Sequence, residues 1–187
     1  MKKLLLLSAL LSFGISKIAT AQDVLPYDTG TKKIIYSEVV MVPNANKDKL
    51  FDRAAKALHE MYQQADSKFA VKDKAAGKIV FNGFVRIIYK EKDGTNFPDP
   101  SLVKYRLTLL FKDGKYKYEI TDFIVDHAGV PFHVERWQQH NVPGDKTYDK
   151  TDRVPEKLQF IHDDIAKVLA RLKKSMEADV VEEKKDW

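Results

Sequence analysis

The chain has 187 residues, with 32 basic and 27 acidic side chains, a net charge of +5 and no cysteine. This length supports one hydrophobic core, and the lack of cysteine excludes both a disulfide framework and a lipid carried on an N-terminal cysteine. Basic and acidic side chains are nearly balanced and interspersed, which argues against the concentrated basic surface that nucleic-acid binding requires.

Residues 1–21 carry the pattern of a secretory signal. MKK is a charged start, Leu4–Phe13 is an apolar run of ten, and Ala19-Thr20-Ala21 is a small-x-small cleavage site. A membrane span needs roughly 20 apolar residues, and this run is shorter, with Lys17 just beyond it. Cleavage after Ala21 leaves 166 residues and, because the signal holds three lysines and no acid, lowers the net charge to +2. No later segment is apolar enough to span a membrane. The expectation is an exported protein, periplasmic or extracellular, that is not a lipoprotein.

Residues 22–187 read as one domain with a core over 30–125, an irregular excursion over 126–153 and a closing helix over 155–176. Gln22–Thr31 is a polar leader, expected to be loosely ordered. Lys33–Val42 (KIIYSEVVMV) is rich in β-branched residues and reads as a strand, apolar on both faces and therefore well covered. Asn46 is placed to cap a helix over 47–64, where Leu50, Phe51, Ala54, Leu58, Met61 and Tyr62 recur at steps of three and four. A short strand over 68–72 and a polar turn follow. Lys78–Tyr89 (KIVFNGFVRIIY) is the strongest strand signal, and Gly83 in its middle points to a bulge or sharp bend. Residues 90–101 (KEKDGTNFPDPS) read as a loop with a turn at Asp93-Gly94.

Two β-rich runs, VKYRLTLLF and KYKYEITDFIV, flank Asp113-Gly114. A two-residue type I′ hairpin needs positive φ at both loop positions, which Asp-Gly tolerates. Along the second run Tyr116, Tyr118, Ile120 and Ile124 alternate with Lys115, Lys117, Glu119 and Thr121. The alternation turns the tyrosines to a packed face and the lysines to water, an alternative to a base-stacking platform. The excursion carries a short strand over 132–137. In the closing helix Leu158, Ile161, Ile165, Val168, Leu169, Leu172 and Met176 form one apolar stripe. Pro155 suits its first turn.

The wording of KIIYSEVVMVPNANKDKLFDRA, GKIVFNGFVRIIY, LLFKDGKYKYEITDF and IHDDIAKVLARLKKSM resembles a bacterial domain of unknown function described as having a TBP-like fold. The resemblance covers 30–123 and the closing helix. It implies an α+β fold: a TBP-like curved antiparallel sheet in strand-helix-strands-helix order, with helices on one face. It implies no DNA binding, activity or catalytic residue, because a fold does not carry a function.

There is no Cys nucleophile, no G-x-S-x-G elbow and no Gly-rich phosphate loop. Paired acids such as Glu119 and Asp122 carry little weight and point to opposite faces of a regular strand. One cluster merits attention: His127, His133, Glu135 and His140 are residue types that ligate zinc, although their spacing matches no known zinc pattern. Asp145, Asp149 and Asp152 lack the spacing of a calcium loop. Trp137 is read as a core residue in preference to a binding platform, and Trp187 at the charged end is left unassigned. The sequence thus favours a non-enzymatic binding or interaction module of the cell envelope. Its partner would be an unidentified envelope protein or small ligand, with no cofactor and no nucleic acid. The alternative is a small metal-dependent hydrolase using the histidine cluster.

Overall fold

The computed structural model describes residues 24–90, 94–127, 130–140 and 153–177. Its elements are β1 (Tyr27–Asp28), β2 (Lys33–Ile34), β3 (Tyr36–Met41), α1 (Lys47–Met61), a 3-10 turn (Ala65–Lys68), β4 (Phe69–Asp73), β5 (Lys78–Lys90), β6 (Asn96–Lys112), β7 (Lys115–His127), β8 (Val130–His133), α2 (Glu135–His140) and α3 (Val154–Glu177). Strands β3-β7-β6-β5-β4 pair in that order, all antiparallel. Strand β7 carries two partners on one side: β3 lies along Lys115–Ile120 and β8 along Ile124–His127. The chain has the expected α+β architecture, with α1 and α3 against one face of the sheet.

Helix α1 starts where Asn46, in extended geometry, accepts the amide of Lys49 at 2.8 Å. It ends at Met61, three residues earlier than the apolar spacing implies, because Tyr62 turns extended and Gln64 takes φ 54°. Its buried stripe of Leu50, Phe51, Ala54 and Leu58 meets the stripe of α3, in which Leu158, Ile161, Ile165, Leu172 and Met176 are fully buried. Beneath both lie Ile79, Phe81, Leu107, Leu109, Tyr116 and Ile120 from the sheet. Burial of such side chains, worth about 1.5–3 kcal/mol each, holds together a fold that has no disulfide.

Several local expectations are corrected. The run 33–42 does not form one covered strand. It breaks at Ile35, whose amide turns back to the Pro26 carbonyl at 3.0 Å, and β3 becomes a sheet edge with Val39 and Met41 exposed. Gly83 sits in unbroken register opposite Tyr105, and the shift in that strand pair falls later, between Arg86 and Ile88. Glycine is needed at 83 because a Cβ there would stand 2.2 Å from Cζ of Tyr105, whose ring crosses that point to reach the Tyr62 hydroxyl. Within 90–101, Asn96–Ser101 belong to β6 and Lys90 pairs with Asn96, while Asp93 of the expected turn lies outside the described residues. In the hairpin loop only Gly114 has positive φ, so the turn is not type I′.

The ends of the domain also differ. Leu25 and Ile34 are fully buried, and β1 and β2 form a small hairpin instead of a loose leader. The first half of the excursion is ordered as β8 and α2, with the strand two residues earlier than expected and Trp137 on the helix. Trp137 is buried, stacks edge-on with Phe132 at 5.3 Å and lies under the ammonium of Lys157. That ammonium also reaches the buried Asp99 carboxylate at 3.5 Å, joining the first turn of α3 to β6.

Candidate functional site

Of the histidine cluster, His127 closes β7, His133 closes β8, Glu135 opens α2 and His140 closes α2. His133 is exposed, and its Nδ1 is 3.9 Å from Oε2 of the buried Glu135. The other carboxylate oxygen of Glu135 accepts the amide of Ile34 at 2.9 Å. One turn on, Gln138 accepts the amide of Leu25 at 3.3 Å and donates to its carbonyl at 2.9 Å. Glu135 and Gln138 therefore hold the N-terminal hairpin to the body of the domain. No group of three or more His, Asp or Glu able to hold a metal forms among the described residues. The signal segment 1–21, Asp145, Asp149, Asp152 and Trp187 lie outside the described residues.

A different feature stands out on the sheet face opposite α1 and α3, which carries no helix among the described residues. The register of β6 and β7 shifts between Lys104 and Arg106: Lys104 pairs Ile124 and Arg106 pairs Thr121, so Asp122 and Phe123 together face Tyr105. Asp122 takes φ 55°, the left-handed region that Asp enters more readily than most residues. The inserted residue turns every later side chain of β7 over. Phe123 and Val125 enter the core, and Ile124, expected beside Tyr116, turns to the open face. The sequence carries the signal as a step of three, from Ile120 to Phe123, where regular alternation gives two.

The bulge also turns Asp122 to the open face, the side occupied by Glu119, in place of the opposite sides expected of a regular strand. Its carboxylate accepts from Arg106 at 2.8 Å and from Lys33 at 3.1 Å. Beside it Lys104 reaches Asp126 at 3.0 Å, and the ammonium of Lys68 stands 4.8 Å over the Phe84 ring. Of these groups, Lys68, Phe84, Lys104, Arg106 and Asp122 line a concavity of about 420 Å³ that spans β5, β6 and β7. Its wall adds the Ser67 hydroxyl and the Asn82 amide, with Gly83 at its floor. Cations, hydrogen-bonding groups and the hydrocarbon of Phe84, Leu102 and Ile124 thus share one open hollow. Such a mixture suits recognition of a ligand that is partly apolar and bears acceptor groups.

This strand order, with α1 and α3 on one sheet face and no helix on the other among the described residues, can be compared with known folds. Residues 36–125 match the family model described as "Domain of unknown function (DUF4468) with TBP-like fold". The fold is TBP-like. The DUF4468 span includes β3 through most of β7, and with them every residue lining the concavity. A crystal structure of a DUF4468 family protein from Bacteroides ovatus is similar at a TM-score of 0.65 and 17% identity, covering 83% of this chain and 92% of that one. A TBP-like protein from Parabacteroides distasonis aligns at a TM-score of 0.58 and 16% identity, covering 80% and 97%. At these identities the likeness shows the fold alone. No curated protein matches the chain.

Proposed function

We propose that this chain is an exported, non-enzymatic binding module of the bacterial cell envelope, and that the hollow at the β7 bulge is its contact surface. The observation that carries the reading is the convergence of Lys68, Lys104, Arg106 and Asn82 on one open hollow of about 420 Å³, on a sheet face that carries no helix among the described residues. Groups there can position a ligand by charge and hydrogen bonding, and the bulge that aims Asp122 and Ile124 into the hollow is a device found beside binding sites. Export is supported by the charged start, the apolar run and the Ala19-Thr20-Ala21 site.

Mild cross-linking of the chain in its native cells, followed by mass spectrometry, tests the reading. A stoichiometric envelope protein or small ligand is expected with the native sequence, and is lost when Lys104→Glu and Arg106→Glu are combined. A partner retained in full by that variant places the contact elsewhere. Robust turnover of an envelope substrate by the purified domain overturns the non-enzymatic reading. Recovery of uncleaved chain from the cytosol overturns export.

A further inference from the structure

We propose that the hairpin end of the open sheet face, away from the bulge hollow, docks on an anionic phospholipid bilayer. In register across the sheet, Met41 faces Lys115, which faces Lys112. One row in, Val39 faces Lys117, Lys117 faces Leu110, and Leu110 faces Lys78. Four lysines and three apolar side chains are therefore interleaved over seven neighbouring positions, with Lys112 and Lys115 side by side. Met41, Val39 and Leu110 are 65%, 55% and 42% exposed, a large area for side chains of their kind on a folded sheet. A shallow depression of about 270 Å³ lies between Val39 and Leu110 and is bordered by Lys112, Lys115 and Lys117. Among the described residues, ion pairing reaches only one of the four lysines: Lys117, 3.4 Å from Glu119 on its own strand.

The pattern discriminates between partners. A protein interface has a contiguous apolar centre from which lysine is depleted, with charge at the rim, and here the lysines stand between the apolar side chains. Single-stranded nucleic acid needs aromatic platforms, and the aromatics at this end of the sheet, Phe111, Tyr116 and Tyr118, are buried. A bilayer surface accepts both components. Lysine stems lie along hydrocarbon while their ammonium groups stay at the level of the headgroups, and aliphatic tips enter the acyl boundary. Charge sets the orientation as well. Residues 22–187 carry +2 in all, so these four lysines leave the remainder at −2. An anionic surface thus attracts this end and repels the rest.

Flotation of residues 22–187 with vesicles tests the proposal, using equimolar phosphatidylglycerol and phosphatidylcholine against phosphatidylcholine alone. Binding is expected only to the anionic vesicles and is expected to weaken with salt. A lysine near such a surface contributes about fivefold in partitioning, so Lys112→Glu with Lys115→Glu lowers binding by at least about 25-fold. Val39→Ser with Met41→Ser lowers it on the order of tenfold. Lys49→Glu with Lys56→Glu, the same change of charge on α1, leaves it within about twofold because the effect falls off within a Debye length. Absence of flotation at low salt, equal flotation on neutral vesicles, or equal loss with the α1 variant overturns the proposal. Self-association removed by Met41→Ser, without vesicle binding, overturns it in favour of a second copy on the β3 edge. The bulge hollow is untouched by these substitutions, so its own test stands apart.

Discussion

Asp113, in the loop between β6 and β7, accepts the backbone amide of Lys47 at 2.7 Å and so caps a helix that begins 66 residues earlier. The same loop receives the amide of Val42 on the Gly114 carbonyl and donates the Gly114 amide to Ala45, each at 2.8 Å. The KDG turn therefore closes a hairpin and also fixes the start of α1. A helix N-terminus leaves four amides without intrahelical partners, and a carboxylate there also meets the positive end of the dipole. Asp113→Ala is expected to cost about 1 kcal/mol, a drop of roughly 2–4 °C in Tm for a domain of this size. Asp113→Asn keeps the acceptor and is expected to cost less than half of that. Thermal unfolding by circular dichroism measures both.

Gly83 and Tyr105 are expected to be energetically coupled. Gly83→Ala places a methyl within 2.2 Å of the Tyr105 ring, against a side chain that is buried and bonded to Tyr62. Overpacking of this kind costs about 1–3 kcal/mol. In a Tyr105→Leu background, where the side chain ends before the colliding Cζ, the same substitution is expected to cost less than half as much. A double-mutant cycle in urea reads the coupling directly, and additive losses contradict it.

Glu135 is expected to act as an anchor and not as an acid, base or metal ligand. Glu135→Ala removes the acceptor of the buried Ile34 amide, a loss of about 1–3 kcal/mol. The loss is local, so hydrogen exchange at Ile34 and Leu25 accelerates while the amides of β6 keep their protection. Unchanged exchange at Ile34 in the variant removes Glu135 from this role.

Stability in acid depends on a link between β3 and α3. Lys173 and Tyr118 both donate to Oε2 of Glu38, at 2.6 and 2.8 Å, and these bonds, Lys173 first, hold the carboxyl below its ordinary 4.5. A carboxyl lowered in the folded state binds fewer protons there than in the unfolded chain. Its stabilisation is present above pH 4.5 and disappears as pH falls through the lowered folded value. The pair is partly exposed, so screening limits the effect to under about 1 kcal/mol. Tm measured from pH 6 to pH 3 is expected to fall more steeply for the native sequence than for Glu38→Gln, the two curves converging at the acid end.

Much of this fold is written locally. The α1 and α3 stripes, the Asn46 cap and the KDG hairpin each rest on residues within a few positions of one another, and the periodicities expose them. What escaped has distant causes. The order of the first hairpin rests on Glu135 and Gln138, which lie 101 and 113 residues from the amides they receive. No local pattern in Gln22–Thr31 announces them. The face of Ile124 was misread because a single left-handed residue, Asp122, shifts the phase of β7. The same shift builds the bulge hollow, so its lining could not be assembled from alternation alone. The outward lysines of KYKY were legible, whereas the exposure of Val39 and Met41 depended on β3 lying at an edge, a property of the strand order and not of the run itself.

The division of β7 between β3 and β8 bears on how the chain can reach this state. Tyr36 pairs with Ile120, and β8 closes the same side only once residue 133 is available. Made or threaded from its N-terminus, the chain holds β3 without a sheet partner until nearly two-thirds of its length has appeared. Local pieces such as α1 and the consecutive hairpins of β4, β5 and β6 can form early, whereas the pairing of β3 waits on the distant β7. A ribosome stalled between β3 and β7 therefore leaves a fragment whose β3 has no sheet partner.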